Sequence, residues 1–211
     1  MEHVTLTTER LVLRPFAPAD TDEVHAACQD PDIQRWTTVP SPYAHEDAAL
    51  FVQRIAPGAW RDGTEYAFAV RPHAPAEDGT HPLVAAVSVH HPRENTWEVG
   101  YWTAAGHRRR GYTAECVRAL AHWSFTALGC TRLEWRAEVG NAPSRAVAES
   151  VGFVVEGTQR AGLFNRGTVR DCWLGALLPH DLGLPSPLPH LPADTAATAR
   201  DGDRADRPGR A

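Results

Sequence analysis

Between Glu98 and Leu128 the chain reads as a strand, a short loop of arginines around one glycine, and a long helix that begins at once. From Thr113 to Leu128, the residues Cys116, Leu120, Trp123 and Ala127 recur at helical spacing and mark one apolar face. Gly129 supplies a natural stop. A loop held between a strand end and a helix start presents several main-chain N–H groups at the positive end of the helix dipole. Gly111 lets that chain approach an anion with no Cβ in the way. The junction is not a Walker loop, because GK[ST] is missing, and not a Rossmann fingerprint, because GxGxxG is missing. Physical reasoning leaves two readings: a pyrophosphate cradle, or a helix start with a solvated arginine cluster.

The rest of the chain alternates strand and helix signals. Residues 11–16 are expected to form the first strand, stopped by Pro18. Asp20 offers an N-cap for a helix to about Gln29, with Val24, Ala27 and Cys28 on one face. Residues 30–43 contain three Pro and no period, so a loop carrying Trp36 and Tyr43 is expected there. Residues 46–55 keep helical spacing, and 65–70, 83–89 and 97–102 read as strands, the last two joined by a hairpin at Asn95. Residues 133–139 predict a strand and 143–150 a short helix ended by Gly152. Two more strands, 153–159 and 169–178, close the domain. The order β-α-α-β-β-β-α-β-α-β-β predicts a mixed α/β domain rather than a strict βαβ array. Trp36, Tyr43, Trp60 and Tyr66 gather around the N-terminal helices, where core packing is their expected role.

Composition narrows the class further. From Pro179 the chain carries six Pro in 33 residues, few aliphatics and balanced Asp and Arg. Such a segment cannot offset its ordering entropy by apolar burial. The expectation is therefore one domain over 1–180 and a Pro-rich disordered tail over 181–211. No stretch reaches the ~18 apolar residues that a membrane helix needs. Glu2 and Glu9 in the first stretch argue against a secretory signal. Cys28, Cys116, Cys130 and Cys172 are widely spaced, which suggests neither a disulfide framework nor a zinc finger, and a reducing, cytoplasmic setting is expected. A net charge of -5 argues against a general nucleic-acid binder. All 21 basic residues are Arg, so no lysine is available for a Schiff base. Eleven His include no HExxH and no i, i+4 pair on a helix, and no metal is expected.

The junction also carries a resemblance. Arg108-Arg-Arg-Gly-Tyr-Thr113 resembles the R-x-x-G-x-G/A signature of the GNAT N-acetyltransferases, with Thr113 in place of the final small residue. The run TERLVLRPF ending at Phe16, Glu98-Val-Gly-Tyr-Trp102, Asn141-Ala-Pro-Ser144 and Glu149-Ser-Val-Gly-Phe153 are similar to the ribosomal-protein N-terminal (Rim-type) branch. The likeness extends from about Thr7 to Leu178 in consistent order. It implies an α/β fold with a mixed, mostly antiparallel central sheet, splayed parallel strands 4 and 5, and flanking helices.

It further implies acetyl-CoA as cosubstrate, held by Arg108, Arg109, Arg110, Gly111, Tyr112, Thr113 and Ala114, with the pyrophosphate on the amides of residues 109–114. The pantetheine arm would lie between the strand of Tyr101 and residues 133–139, borrowing main-chain groups of Trp102 and Thr103 like an added strand. Asn141 would hydrogen-bond that arm. Many superfamily members protonate the leaving thiolate with a tyrosine at the position of Ala148. Ser144, one turn in from Asn141, is the Rim-type substitute, unless it only satisfies helix-start amides. Glu98 is the leading base and Glu138 the second, each also readable as a solvated strand carboxylate. The acceptor would be a protein N-terminus or a small-molecule amine, with no nucleic acid or membrane partner, on a monomer or homodimer. The alternatives are a catalytically inactive CoA-binding sensor or scaffold of the same fold, and, more remotely, a nucleic-acid module using the three arginines.

Overall fold

The computed structural model describes residues 1–193. Eight strands form one sheet: β1 (Leu6–Thr7), β2 (Leu11–Pro15), β3 (Glu65–Pro72), β4 (Ala85–Arg93), β5 (Thr96–Thr103), β6 (Arg132–Glu138), β7 (Val154–Asn165) and β8 (Thr168–Leu177). Their spatial order is β1-β2-β3-β4-β5-β6-β8-β7. The β5–β6 contact is parallel and the other registered pairs are antiparallel. The expected mixed sheet is therefore present. Its splayed strands 4 and 5 are β5 and β6, because the two-residue β1 comes before the first strand read from the sequence.

Among the described residues six α-helices accompany the sheet: α1 (Thr21–Cys28), α2 (Pro31–Trp36), α3 (His45–Leu50), α4 (Ala56–Asp62), α5 (Tyr112–Ala127) and α6 (Ala142–Val151). Helix α2 falls inside the stretch expected to be a loop. Its six residues are too short to show a period, but its start is chemically defined. Asp30 accepts from the N–H groups of Asp32 and Ile33 at 3.0 Å each, and Pro31 occupies the first turn. The helix expected at 46–55 runs further, through a π-helical turn at Phe51–Ile55 and directly into α4. Pro57 does not stop it, because it lies in the first turn of α4, where a missing N–H is tolerated.

Two apolar clusters lie on the sheet. The larger joins α4, α5 and α6 to one face through Trp60, Phe68, Val87, Leu120, Leu133 and Trp135. Trp60 and Tyr66, both buried, meet edge to face with centroids 4.7 Å apart. The Trp60 indole N–H donates to the Ala67 carbonyl at 3.1 Å, so the ring is buried without an orphaned donor. Truncating such a buried Trp to Ala costs about 3–5 kcal/mol. The smaller cluster packs α1, α2 and α3 against Ala67, Ala69 and Ala86 on the opposite face, and includes Tyr43. All four cysteines are free and buried.

The chain stays attached to the domain beyond residue 180. A 3-10 turn spans Pro179–Leu182, and Leu182 and Leu184 pack against the larger cluster. The distal part of the expected tail, residues 194–211, lies outside the described residues. Among the described residues no helix is long and apolar enough to cross a membrane.

Candidate active site

The parallel ladder between β5 and β6 runs from Thr96↔Arg132 to Val99↔Trp135 and stops there. Strand β5 continues to Thr103 on its pairing with β4, and β6 continues to Glu138 on its pairing with β8. The sheet therefore forks, leaving the β6-facing edge of residues 100–103 without a strand partner. Alternation along β5 sends Tyr101 toward α5 and α6 and Trp102 toward the smaller cluster.

At the open end of the fork stands the arginine loop. Arg109 and Gly111 both take positive φ, 62° and 77°. Gly111 is the N-cap of α5, so the conformation that favours glycine falls where the helix begins. Among the described residues, none of the six main-chain N–H groups of residues 109–114 has a protein acceptor. Six consecutive free donors at the start of a 16-residue helix form an anion cradle.

The cradle is strapped from outside. Arg10 reaches the Glu115 carboxylate at 2.6 Å and donates to the Arg110 carbonyl at 3.1 Å, while its guanidinium lies 5.0 Å from the Tyr112 ring centroid. Thr8 adds a hydrogen bond to Glu115 at 2.5 Å. Thr113 and Thr103 join their hydroxyls at 2.5 Å, tying the first turn of α5 to the end of β5. The three arginines divide. Arg108 is committed to Asp30 at 2.6 Å and Asp32 at 3.2 Å, with a further bond to the Thr103 carbonyl. Arg110 donates to the Gly106 carbonyl, and Arg109 has no protein partner among the described residues. The cluster is thus only partly a solvated face.

Near the crotch of the fork, Asn141 caps α6: its side-chain oxygen accepts from the Ser144 N–H at 3.2 Å. The amide NH₂ of Asn141 has no protein acceptor among the described residues. Ser144 therefore does not cap the helix. Its Oγ instead accepts from the Trp135 indole at 3.0 Å and lies 3.1 Å from the Tyr101 hydroxyl. Burial pushes the Tyr101 phenol up to about 12. Ala148, one turn further on, is fully buried in the larger cluster, so a tyrosine there would have to displace core side chains.

The two candidate bases sit in opposite environments. Glu98 lies on the face away from α5, beside Glu134 on the paired strand, with His90 at 3.7 Å and Arg136 at 3.9 Å. Burial raises its pKa above the ordinary carboxylate value, against the opposing influence of His90 and Arg136. Glu138 is gripped by Arg35 through two bonds of 2.7 Å and by Arg170 at 3.0 Å. The Arg35 hydrogen bonds and Arg170 lower its pKa to about 2, despite some desolvation. A carboxylate so held is a poor proton acceptor, and Glu138 is a brace between α2, β6 and β8 rather than a base. Beside it, the Trp36 ring comes within 3.9 Å of where a Gly140 Cβ would stand. Among the described residues no three His, Cys, Asp or Glu converge on a metal-sized site.

Sequence reasoning missed Trp135 and Arg35. Trp135 reads as one more core aromatic, and its indole N–H matters only because the fork brings α6 against it. Arg35 lies in the stretch expected to be a loop, and only the Asp30-Pro31 helix start signals its helix.

The acetyltransferase (GNAT) domain family matches residues 10–154. YdaF of Bacillus subtilis (strain 168), provisionally named a ribosomal N-acetyltransferase, is 38% identical over 81 residues, which is 38% of this chain and 44% of that protein. The uncharacterized N-acetyltransferase p20 of Bacillus licheniformis is 26% identical over 175 residues, 82% of this chain and 96% of that one. Among solved structures, RimJ of Mycobacterium smegmatis in complex with CoA-disulfide superposes with a TM-score of 0.70 at 22% identity, covering 86% of this chain and 88% of that chain. At that identity the likeness is one of fold.

Proposed function

The chain belongs to the acetyltransferase (GNAT) domain family, and on that premise we propose that it transfers the acetyl group of acetyl-CoA to a primary amine by direct attack in a ternary complex. The observation that carries this reading is the cradle: six N–H donors at residues 109–114, without a protein acceptor among the described residues, strapped at the mouth of a forked sheet. Acetyl-CoA supplies an activated thioester and a diphosphate. The cradle binds the diphosphate, with Arg109 adding charge. The free edge of residues 100–103 accepts the pantetheine amides as a further strand would, and the spare NH₂ of Asn141 donates to them.

The remaining residues manage protons. An amine attacks only when uncharged, and an α-amino group, with a pKa of roughly 7.7–8.0, is partly uncharged near neutrality. Glu98, its carboxyl raised by burial, takes the proton that the amine loses, directly or through water. Ser144 faces the crotch of the fork and donates to the departing sulfur. The ribosomal label of YdaF supports a protein N-terminus as acceptor, and small amines are the alternative.

Thiol release measured over a panel of peptide N-termini and small amines tests the proposal. Turnover with one class identifies the acceptor. Tight acetyl-CoA binding with no thiol release from any amine would instead support a catalytically inactive CoA-binding scaffold.

A further inference from the structure

The hydroxyl of Ser144 is held by one aromatic side chain from each arm of the fork. Trp135 belongs to the last registered pair of the parallel ladder, and Tyr101 stands two residues beyond that pair on the other arm. Counting protons limits the directions these bonds can take. The Trp135 indole can only donate, so Ser144 Oγ accepts at 3.0 Å. The single Tyr101 proton goes either to the Ser144 carbonyl at 2.9 Å or to Ser144 Oγ at 3.1 Å. In the second arrangement Ser144 Oγ accepts from both rings and keeps its own proton free to donate. The delivering order therefore runs from Tyr101 Oη–H to Ser144 Oγ, with the Trp135 N–H on the other lone pair and the serine proton free.

We infer that Tyr101, acting through Ser144, supplies the proton taken up by the departing thiol, and that Trp135 holds the serine in the orientation that permits it. The inference rests on the acetyl-transfer reading above. An aliphatic alcohol is a far weaker acid than a phenol, so a serine that gives up its proton must regain one in the same event. The phenol is in hydrogen-bond contact, and its buried pKa of about 12 keeps it protonated at working pH while leaving it a stronger acid than the serine. Helix α6 offers no tyrosine to do this, since Ala148 is packed in the core. The phenol arrives instead from strand β5.

The step balances. As the carbon–sulfur bond breaks, its electron pair stays on sulfur, which takes the Ser144 Oγ proton. The Tyr101 Oη proton moves to Ser144 Oγ, and the phenolate is reprotonated by water. The proton lost by the amine leaves through Glu98. Tyr101 and Trp135 are positioning residues, because both act through Ser144.

Two arms test this. Tyr101→Phe removes one oxygen and should lower kcat by about 10²-fold, with the KM for acetyl-CoA within about twofold of the parent. Adding Tyr101→Phe to Ser144→Ala should cost nothing further, because residues acting as one unit are not additive. In the second arm, 3-fluorotyrosine placed at 101 reports on its hydroxyl without turnover. Its ¹⁹F resonance should move on Ser144→Ala and again on saturation with CoA. Full kcat in folded Tyr101→Phe, multiplicative losses in the double variant, or a fluorine resonance indifferent to Ser144→Ala would each overturn the relay alone. Absence of thiol release by the parent protein with every amine overturns the acetyl-transfer reading, and the relay with it.

Discussion

The guanidinium of Arg108 and the carboxylate of Asp30 meet at 2.6 Å, joining the loop before α5 to the N-cap of α2. Asp30 thus serves two elements, capping α2 with the same oxygen that receives Arg108. Burial works against its ionised form, but Arg108 and the cap amides outweigh it and lower its pKa. The link sets the height of the cradle relative to the helices on the opposite side of the sheet. Arg108→Ala should raise the KM for acetyl-CoA several-fold by loosening residues 109–114. Faster hydrogen exchange confined to the bonded amides of residues 32–37 and 107–108 would check that cause, and an unchanged exchange pattern would refute it.

Gly111 stands at φ 77°, a conformation that costs a residue with a Cβ roughly 1–2 kcal/mol. Its Cβ would meet only the Arg10 guanidinium at 3.5 Å, so Gly111→Ala should fold with a melting temperature lowered by about 2–8 °C. Gly111→Asp adds a like charge beside the bound diphosphate, and acetyl-CoA binding should become undetectable by calorimetry. Unchanged affinity in folded Gly111→Asp would rule out the cradle as the phosphate site.

For Glu98 the sign of the pKa shift gives two opposite effects. A carboxyl raised by folding contributes stability in its protonated form, fully present below the ordinary carboxylate value and lost as pH rises through the folded value. Glu98→Gln mimics the protonated form and should melt no lower than the parent at pH 7. The same variant should lose about 10²-fold in kcat and lose the acidic limb of the pH–rate profile. Retention of that limb would assign it to another group.

Glu138 gives the reverse case. Its folded pKa of about 2 lies below the ordinary 4.5, so its stabilisation is present above that ordinary value and lost as pH falls from about 4.5 toward 2. Glu138→Gln should therefore melt lower than the parent at pH 7, and the gap should narrow below pH 4.5. Turnover should fall far less than in Glu98→Gln. Loss of turnover equal to that of Glu98→Gln would return Glu138 to the list of bases.

The C-terminal boundary can be placed by truncation, because Leu182 and Leu184 touch the larger cluster. A chain ending after Pro185 should melt within a few degrees of the full chain, with turnover intact. Ending it after Pro179 should lower the melting temperature by several degrees more. Equal stability of the two truncations would show that those leucines contribute nothing.

The strands and α5 were readable because their patterns are long and regular: sixteen residues of α5 show four turns of one apolar face. Helix α2 was not readable by period, since six residues make less than two turns, although Asp30 and Pro31 spell out its start. The cradle was legible because its chemistry is local, with glycine, loop and helix contiguous in the chain. The difference in surroundings between Glu98 and Glu138 was not. Two glutamates on adjacent strands look alike until Arg35 and Arg170 arrive from distant segments to claim one of them. Ser144 was legible through family likeness, whereas its bonds to Trp135 and Tyr101 depend on three elements meeting.

Only four residue pairs, Thr96↔Arg132 to Val99↔Trp135, stitch the first five strands to the last three. The sheet is in effect two panels sharing a short hinge. A substrate arm laid along residues 100–103 would extend that hinge, so each arrival would stiffen the domain and each departure would release it. Mechanical compliance of the sheet would then follow occupancy of that edge, and a force applied across the two panels would find the protein weakest in the interval after product leaves.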